Sequence, residues 1–165
     1  MLLSQEAPSL IPTMIANGWV DQADKDKCIW AMANSKAVVK LLDFTNHDLM
    51  LSLMRTKPAT IKHIQIESIP EDQYDYMLQH MGLSMHPYFW TLATAILNKQ
   101  VVSNEAACEF LRRAVRHVEV SKIIAFLSEM DYYDFSDSDM LHYIAPVICP
   151  YLVENPGIIL SGLLL

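Results

Sequence analysis

Apolar residues recur along this chain at the spacing of helices rather than strands. Phe89, Leu92, Ala93 and Ile96 form one stripe, and Ala107, Leu111, Ala114, Val115 and Val118 form another. Ile29, Met32 and Ala33 share a face, as do Leu49 and Leu53, with Thr56 on the next turn. Ile123, Ile124, Phe126 and Leu127 make their segment apolar most of the way round, the mark of a central helix.

Capping signals divide the pattern into elements. Asp21 precedes one helix, with Asp24 in its first turn. Thr45 to Asp48, Ser68 to Glu71 and Ser136 to Asp139 have the spacing of capping boxes, the first and last with Asp in place of Glu. Pro58, Pro70 and Pro87 fall where a helix opens, so their missing N–H groups cost nothing. The sequence thus predicts helices near 8–16, 21–34, 36–43, 46–56, 58–65, 71–81, 87–98, 104–117, 120–130 and 138–153. Connections this short make successive helices neighbours. No linker, charge block or low-complexity stretch interrupts them, and the expectation is one all-α, multi-helix domain over residues 1–165.

A shift of 22 residues places Asp26 on Asp48, Met32 on Met54, Ala37 on Ala59, Val39 on Ile61 and Lys40 on Lys62. A further shift of 24 places Asp48 on Asp72 and Leu53 on Met77. A capped helix, a tight break and a second short helix would be the unit, and such units stack into solenoids. Any amphipathic helix matches itself at about six turns, so the agreement of the caps and of the break at Pro58 carries the argument. Within this stretch, Arg55 to Pro58, Ile61, Ile64 and Ile69-Pro70-Glu71 through Tyr74 resemble the short helical repeats of phage and large-virus proteins. The resemblance covers residues 26–82. It implies a helical-repeat fold in the first half and a viral origin, and it brings no catalytic residues.

Composition narrows the function. Four glycines leave no glycine-rich phosphate loop and few β-hairpin turns. A net charge of -7 disfavours nucleic acid and favours a basic protein partner. With 52% hydrophobic and 19% charged residues the chain is not disordered, and it carries more apolar material than a lone globule of this size needs. The opening residues lack the basic stretch of a secretory leader, and prolines break the apolar last 26 residues into pieces too short to cross a bilayer. Cys28, Cys108 and Cys149 are odd in number and widely spaced, which fits reduced thiols in a cytoplasm, the host's if the chain is viral.

Candidate chemistry is sparse. His47, His63, His80, His86, His117 and His142 include no pair at zinc-ligand spacing. His80 and His86 with Cys108 come nearest to a metal set, but ordinary surface or hydrogen-bonded histidines are expected, with no metal and no cofactor. Arg112, Arg113 and Arg116 sit on one helix and are expected to pair with nearby acids such as Glu109. No serine lies in a nucleophile elbow.

The most unusual segment runs from Glu129 to Asp139. Asp131, Asp134, Asp137 and Asp139 alternate there with Tyr132, Tyr133 and Phe135. A calcium loop counted from Asp134 ends on Ala145 rather than a glutamate and lacks its glycine. Two readings remain: a solvated loop whose acids cap the next helix and whose aromatics enter the core, or a contact patch of aromatic anchors ringed by carboxylates. Ile158, Ile159, Leu160, Leu163, Leu164 and Leu165 either complete the core or insert into another chain. These residues are the candidate partner-binding set. The function expected is a non-enzymatic protein-interaction module, an adaptor or stoichiometric inhibitor of a host complex encoded by a phage or virus. The alternatives are a structural or assembly subunit, with a second copy of the chain as partner, and a small helical enzyme using histidines and acids.

Overall fold

Helices need side chains to accept from their first amides, and here one four-residue device does so twice. Asp43-Phe44-Thr45-Asn46 opens His47–Thr56, and Asp134-Phe135-Ser136-Asp137 opens Ser138–Glu154. In the computed structural model, Oδ1 of Asp43 accepts from the amide and hydroxyl of Thr45 at 3.0 and 2.6 Å. Oδ1 of Asp134 accepts from the amide and hydroxyl of Ser136 in the same way. The next residue then caps the helix: the Asn46 side chain accepts from the Leu49 amide and that of Asp137 from the Asp139 amide. The sequence had pointed to Thr45 and Ser136 as caps. The structure places the caps one residue on, at Asn46 and Asp137, while the Thr45 and Ser136 hydroxyls close the turn by donating to the preceding aspartates. Phe44 and Phe135, between the paired residues, are both buried.

The structure describes residues 11–31, 33, 36–81, 87–160 and 163. The chain is all-α: among these residues every regular element is an α-helix or a 3₁₀ helix. It falls into two compact units, Met1–Gln73 and Tyr74–Leu165.

The first unit holds α1 (Ile11–Ala16), α2 (Gln22–Ala31) and α3 (His47–Thr56), with 3₁₀ segments at Lys36–Leu41, Pro58–His63, Ile66–Ser68 and Glu71–Gln73. Gly18 ends α1 with φ +69°, while its amide bonds the Ile15 carbonyl and that of Trp19 bonds Met14. That double bond closes a Schellman motif, for which a left-handed residue is required. The helices expected at 36–43 and 58–65 are tighter and shorter than predicted. Both carry adjacent β-branched residues, Val38-Val39 and Thr60-Ile61, which crowd an α-helical turn and suit a brief 3₁₀ run. These two segments lie 22 residues apart and pack on each other, and each follows a ten-residue helix.

The core of this unit gathers Ile29, Ala33, Val38, Leu41, Leu49 and Leu53. The break after α3 also satisfies the end of α2. Lys57 Nζ donates to the Trp30 carbonyl at 2.9 Å and lies 5.3 Å from the Trp30 ring centre, and the buried Thr60 hydroxyl donates to the Ala33 carbonyl. Carbonyls at and just beyond the end of α2 thus accept from side chains of the next helix pair.

The second unit holds α4 (Tyr74–Met81), α5 (Pro87–Leu97), α6 (Asn104–Ala114), α7 (Val120–Glu129) and α8 (Ser138–Glu154). Helix α4 packs on α5 and α6, and α8 packs on α6 and α7. The stripes predicted on α5, α6 and α7 are buried, including Phe89, Leu92, Ala107, Leu111, Ile123 and Leu127. An aromatic row joins them: Trp90 lies 5.8 Å from Phe110 and 5.5 Å from Phe126, and Phe126 lies 5.6 Å from Phe135, centre to centre. Side chains again close helix ends. The Tyr133 hydroxyl donates to the Leu97 carbonyl at 3.1 Å, and Arg113 donates to the carbonyls of Leu78 and Gln79.

Replacing Thr60 by valine keeps the shape and leaves the Ala33 carbonyl without its buried donor. Urea titration is expected to show a loss of about 1–3 kcal/mol. An unchanged midpoint would remove this bond from the account.

Candidate functional site

The segment from Asp131 to Asp139 divides residue by residue. Tyr133 and Phe135 are buried, whereas Asp131, Tyr132, Asp134, Asp137 and Asp139 are exposed, Tyr132 to 58%. Tyr133 and Phe135 are therefore core residues and not contact anchors: the aromatic row takes Phe135, and the end of α5 takes the Tyr133 hydroxyl. Burial pushes the Tyr133 phenol above its ordinary pKa, so it remains a donor. Asn104, at the start of α6, holds the segment down. Its Oδ1 accepts from the Asp134 amide at 2.8 Å and its Nδ2 donates to the Asp134 carbonyl at 3.0 Å.

The outcome is a groove of about 560 Å³ within the second unit. Its walls come from α4 (Asp75, Gln79), one face of α6 (Glu105, Cys108, Glu109, Arg112) and the opening of α8 (Asp137, Met140). Four carboxylates thus face one guanidinium, which is itself paired with Glu109 at 3.0 Å. Arg112 and Arg116 also lie 5.1 and 5.5 Å from the Tyr143 ring centre. That arrangement turns the arginines toward α8 and leaves the groove negative. Arg113, the third member of the cluster, is drawn below its ordinary pKa by burial and serves as the cap on α4.

Cys108 donates to the Asp134 carbonyl at 3.4 Å. Burial raises its pKa, and the charges of Asp134 and Asp137 raise it further, so the thiol stays protonated at neutral pH and is a poor nucleophile. Among the described residues, no group of three or more His, Cys, Asp or Glu has the geometry to hold a metal ion. His47 bonds Gln73 at 2.7 Å, His80 lies against Tyr76 with ring centres 4.3 Å apart, and His86 lies outside the described residues.

The apolar carboxyl end divides as the acidic segment does. Leu160 is buried, Ile158 and Leu163 are half-buried, and Ile159 is 68% exposed. Leu164 and Leu165 lie outside the described residues. No described helix is long and apolar enough to cross a membrane. The groove itself escaped the sequence reading. Its walls come from three stretches far apart in the chain, and only Asp137 belongs to the predicted set. The acidic ladder Glu105 and Glu109, one helical turn apart, was the available signal. No family model matches the chain, and neither does any curated protein or solved structure.

Phe135→Ala should cost about 3–5 kcal/mol in denaturant unfolding, as large buried aromatics do, while Tyr132→Ala should stay within about 0.5 kcal/mol of the parent. Equal effects would return both residues to one environment. Hydrogen bonds from the Ser136 hydroxyl and amide also hold the Asp134 carboxyl below its ordinary pKa. A carboxyl more acidic folded than unfolded adds stability above its unfolded value and loses it as pH falls through the folded one. NMR titration should therefore find Asp134 titrating below an ordinary aspartate, and Ser136→Ala should move it upward. A titration that Ser136→Ala leaves in place contradicts the turn.

Proposed function

We propose that this chain is a non-enzymatic protein-binding module whose second unit receives a basic segment of a partner protein. The observation that supports the reading is the groove between α4, α6 and the opening of α8, where Asp75, Glu105, Glu109 and Asp137 outnumber Arg112. Exposed carboxylates on a helical wall attract lysine and arginine side chains at long range and fix their register at contact. Tyr132, bare beside Asp131, is the kind of aromatic that anchors an interface. The role we assign is that of an adaptor or stoichiometric inhibitor of a host complex, acting in the host cytoplasm. The viral attribution rests on the resemblance of residues 26–82 to phage and large-virus repeats.

The test is fluorescence anisotropy with labelled lysine- and arginine-rich peptides, and with acidic peptides as controls. The triple variant Asp75→Asn, Glu105→Gln, Asp137→Asn keeps a capping side chain at 137. It should weaken basic-peptide binding about tenfold or more, which is about 1.4 kcal/mol, and added salt should weaken the parent in the same direction. Equal affinity for acidic and basic peptides, or indifference to the three substitutions, would count against the reading.

A further inference from the structure

The first unit has a groove of its own, of about 470 Å³. Ile15 and Ala16 at the end of α1, Lys25 on α2, and Lys40 to Asp43 at the close of the first 3₁₀ run form its walls. Leu41 is buried, Ile15, Lys25 and Leu42 are half-buried, and Lys40 is exposed. Among the described residues, neither ammonium group is within ion-pair distance of a carboxylate. We propose that this groove binds a free aliphatic monocarboxylic acid of short or medium length, with its carboxylate on Lys25 and Lys40 and its chain along Ile15, Leu41 and Leu42.

The lining selects its ligand by what it can donate and accept. Lysine ammonium groups only donate. Asp43 is the one acceptor among the described lining side chains, and its Oδ1 already takes the Thr45 amide and hydroxyl. A ligand whose head only accepts is therefore satisfied here, whereas amides, sugars and amines bring donors that go unpaired at a cost. Charge sets the number. Two ammonium groups and one carboxylate leave a balance of one positive charge, which a monoanion cancels. A single negative charge is also the least repelled by a chain that carries -7. The aliphatic floor then asks for an apolar body behind that head. An apolar lining with a few placed polar groups, at this volume, is the usual make-up of a small-ligand site. The proposal is independent of the groove in the second unit, whose carboxylates admit cations instead.

Isothermal titration calorimetry of the full chain with butyrate, hexanoate and octanoate should show affinity rising with length, by up to about fourfold for each methylene buried. Octylammonium has the same chain and the opposite charge, and it should bind at least tenfold more weakly than octanoate. Lys25→Gln combined with Lys40→Gln should weaken octanoate at least tenfold. It should leave circular dichroism unchanged and leave basic-peptide binding by the second unit at the parent value. In methyl NMR spectra, octanoate should shift Ile15, Leu41 and Leu42. Acetylated trileucine offers the same carboxylate at the end of a peptide, with amide donors added, and should bind more weakly than octanoate. The reverse order overturns the assignment to a free acid. Affinity indifferent to chain length, equal binding of octylammonium, or a double variant that holds octanoate as the parent does overturns it as well.

Discussion

An aspartate that accepts two hydrogen bonds from the serine or threonine two places on turns the backbone, and the phenylalanine between them faces inward. Both units of this chain depend on that turn. Asp43 with Thr45 sets the start of α3 and buries Phe44, and Asp134 with Ser136 sets the start of α8 and buries Phe135. A buried phenylalanine contributes roughly 1.5–3 kcal/mol, more than the exposed turn that aims it. The turn's importance is directional: it fixes where the helix begins and which of its neighbours meets solvent.

In the second unit this direction creates the surface chemistry. With Phe135 in the aromatic row and Tyr133 bonded to Leu97, the residues between and beside them have only the outside left. Asp137 caps α8 and at the same time stands in the groove wall, so one carboxylate does structural and electrostatic work. The N-termini of α6 and α8 favour the negative charges gathered near them, which lowers the cost of placing acids close together. Cys108, a thiol on that wall, is kept protonated by burial and by the charges of Asp134 and Asp137. The groove is thus equipped for electrostatic recognition.

The helical class and most of its stripes were legible because period and capping are local signals. The α6 and α7 faces lie where their spacing put them, with Ala107, Leu111, Ile123 and Leu127 buried. The caps fall one residue beyond Thr45 and Ser136 because the turn begins at Asp43 and Asp134, ahead of the capping-box spacing, and brings Asn46 and Asp137 to the helix starts. The 3₁₀ segments were read as α because apolar spacing over six residues does not separate the two geometries. The groove was illegible for a different reason. Asp75, Glu105 and Asp137 meet only through the packing of α6 with α4 and α8, which no local pattern encodes. Alternation of acid and aromatic residues after Glu129 left core and contact readings open, and burial assigns each to different members of the same run.

The claim on which the rest stands is that this run is held, with its aromatics inward and its backbone fastened to Asn104. Hydrogen exchange resolved at the Asp134 and Ser136 amides tests it most directly, since neither belongs to a helix. Exchange slowed at both positions, in step with the amides of α8, is the predicted result. Rates equal to those of an unstructured peptide at both would contradict it.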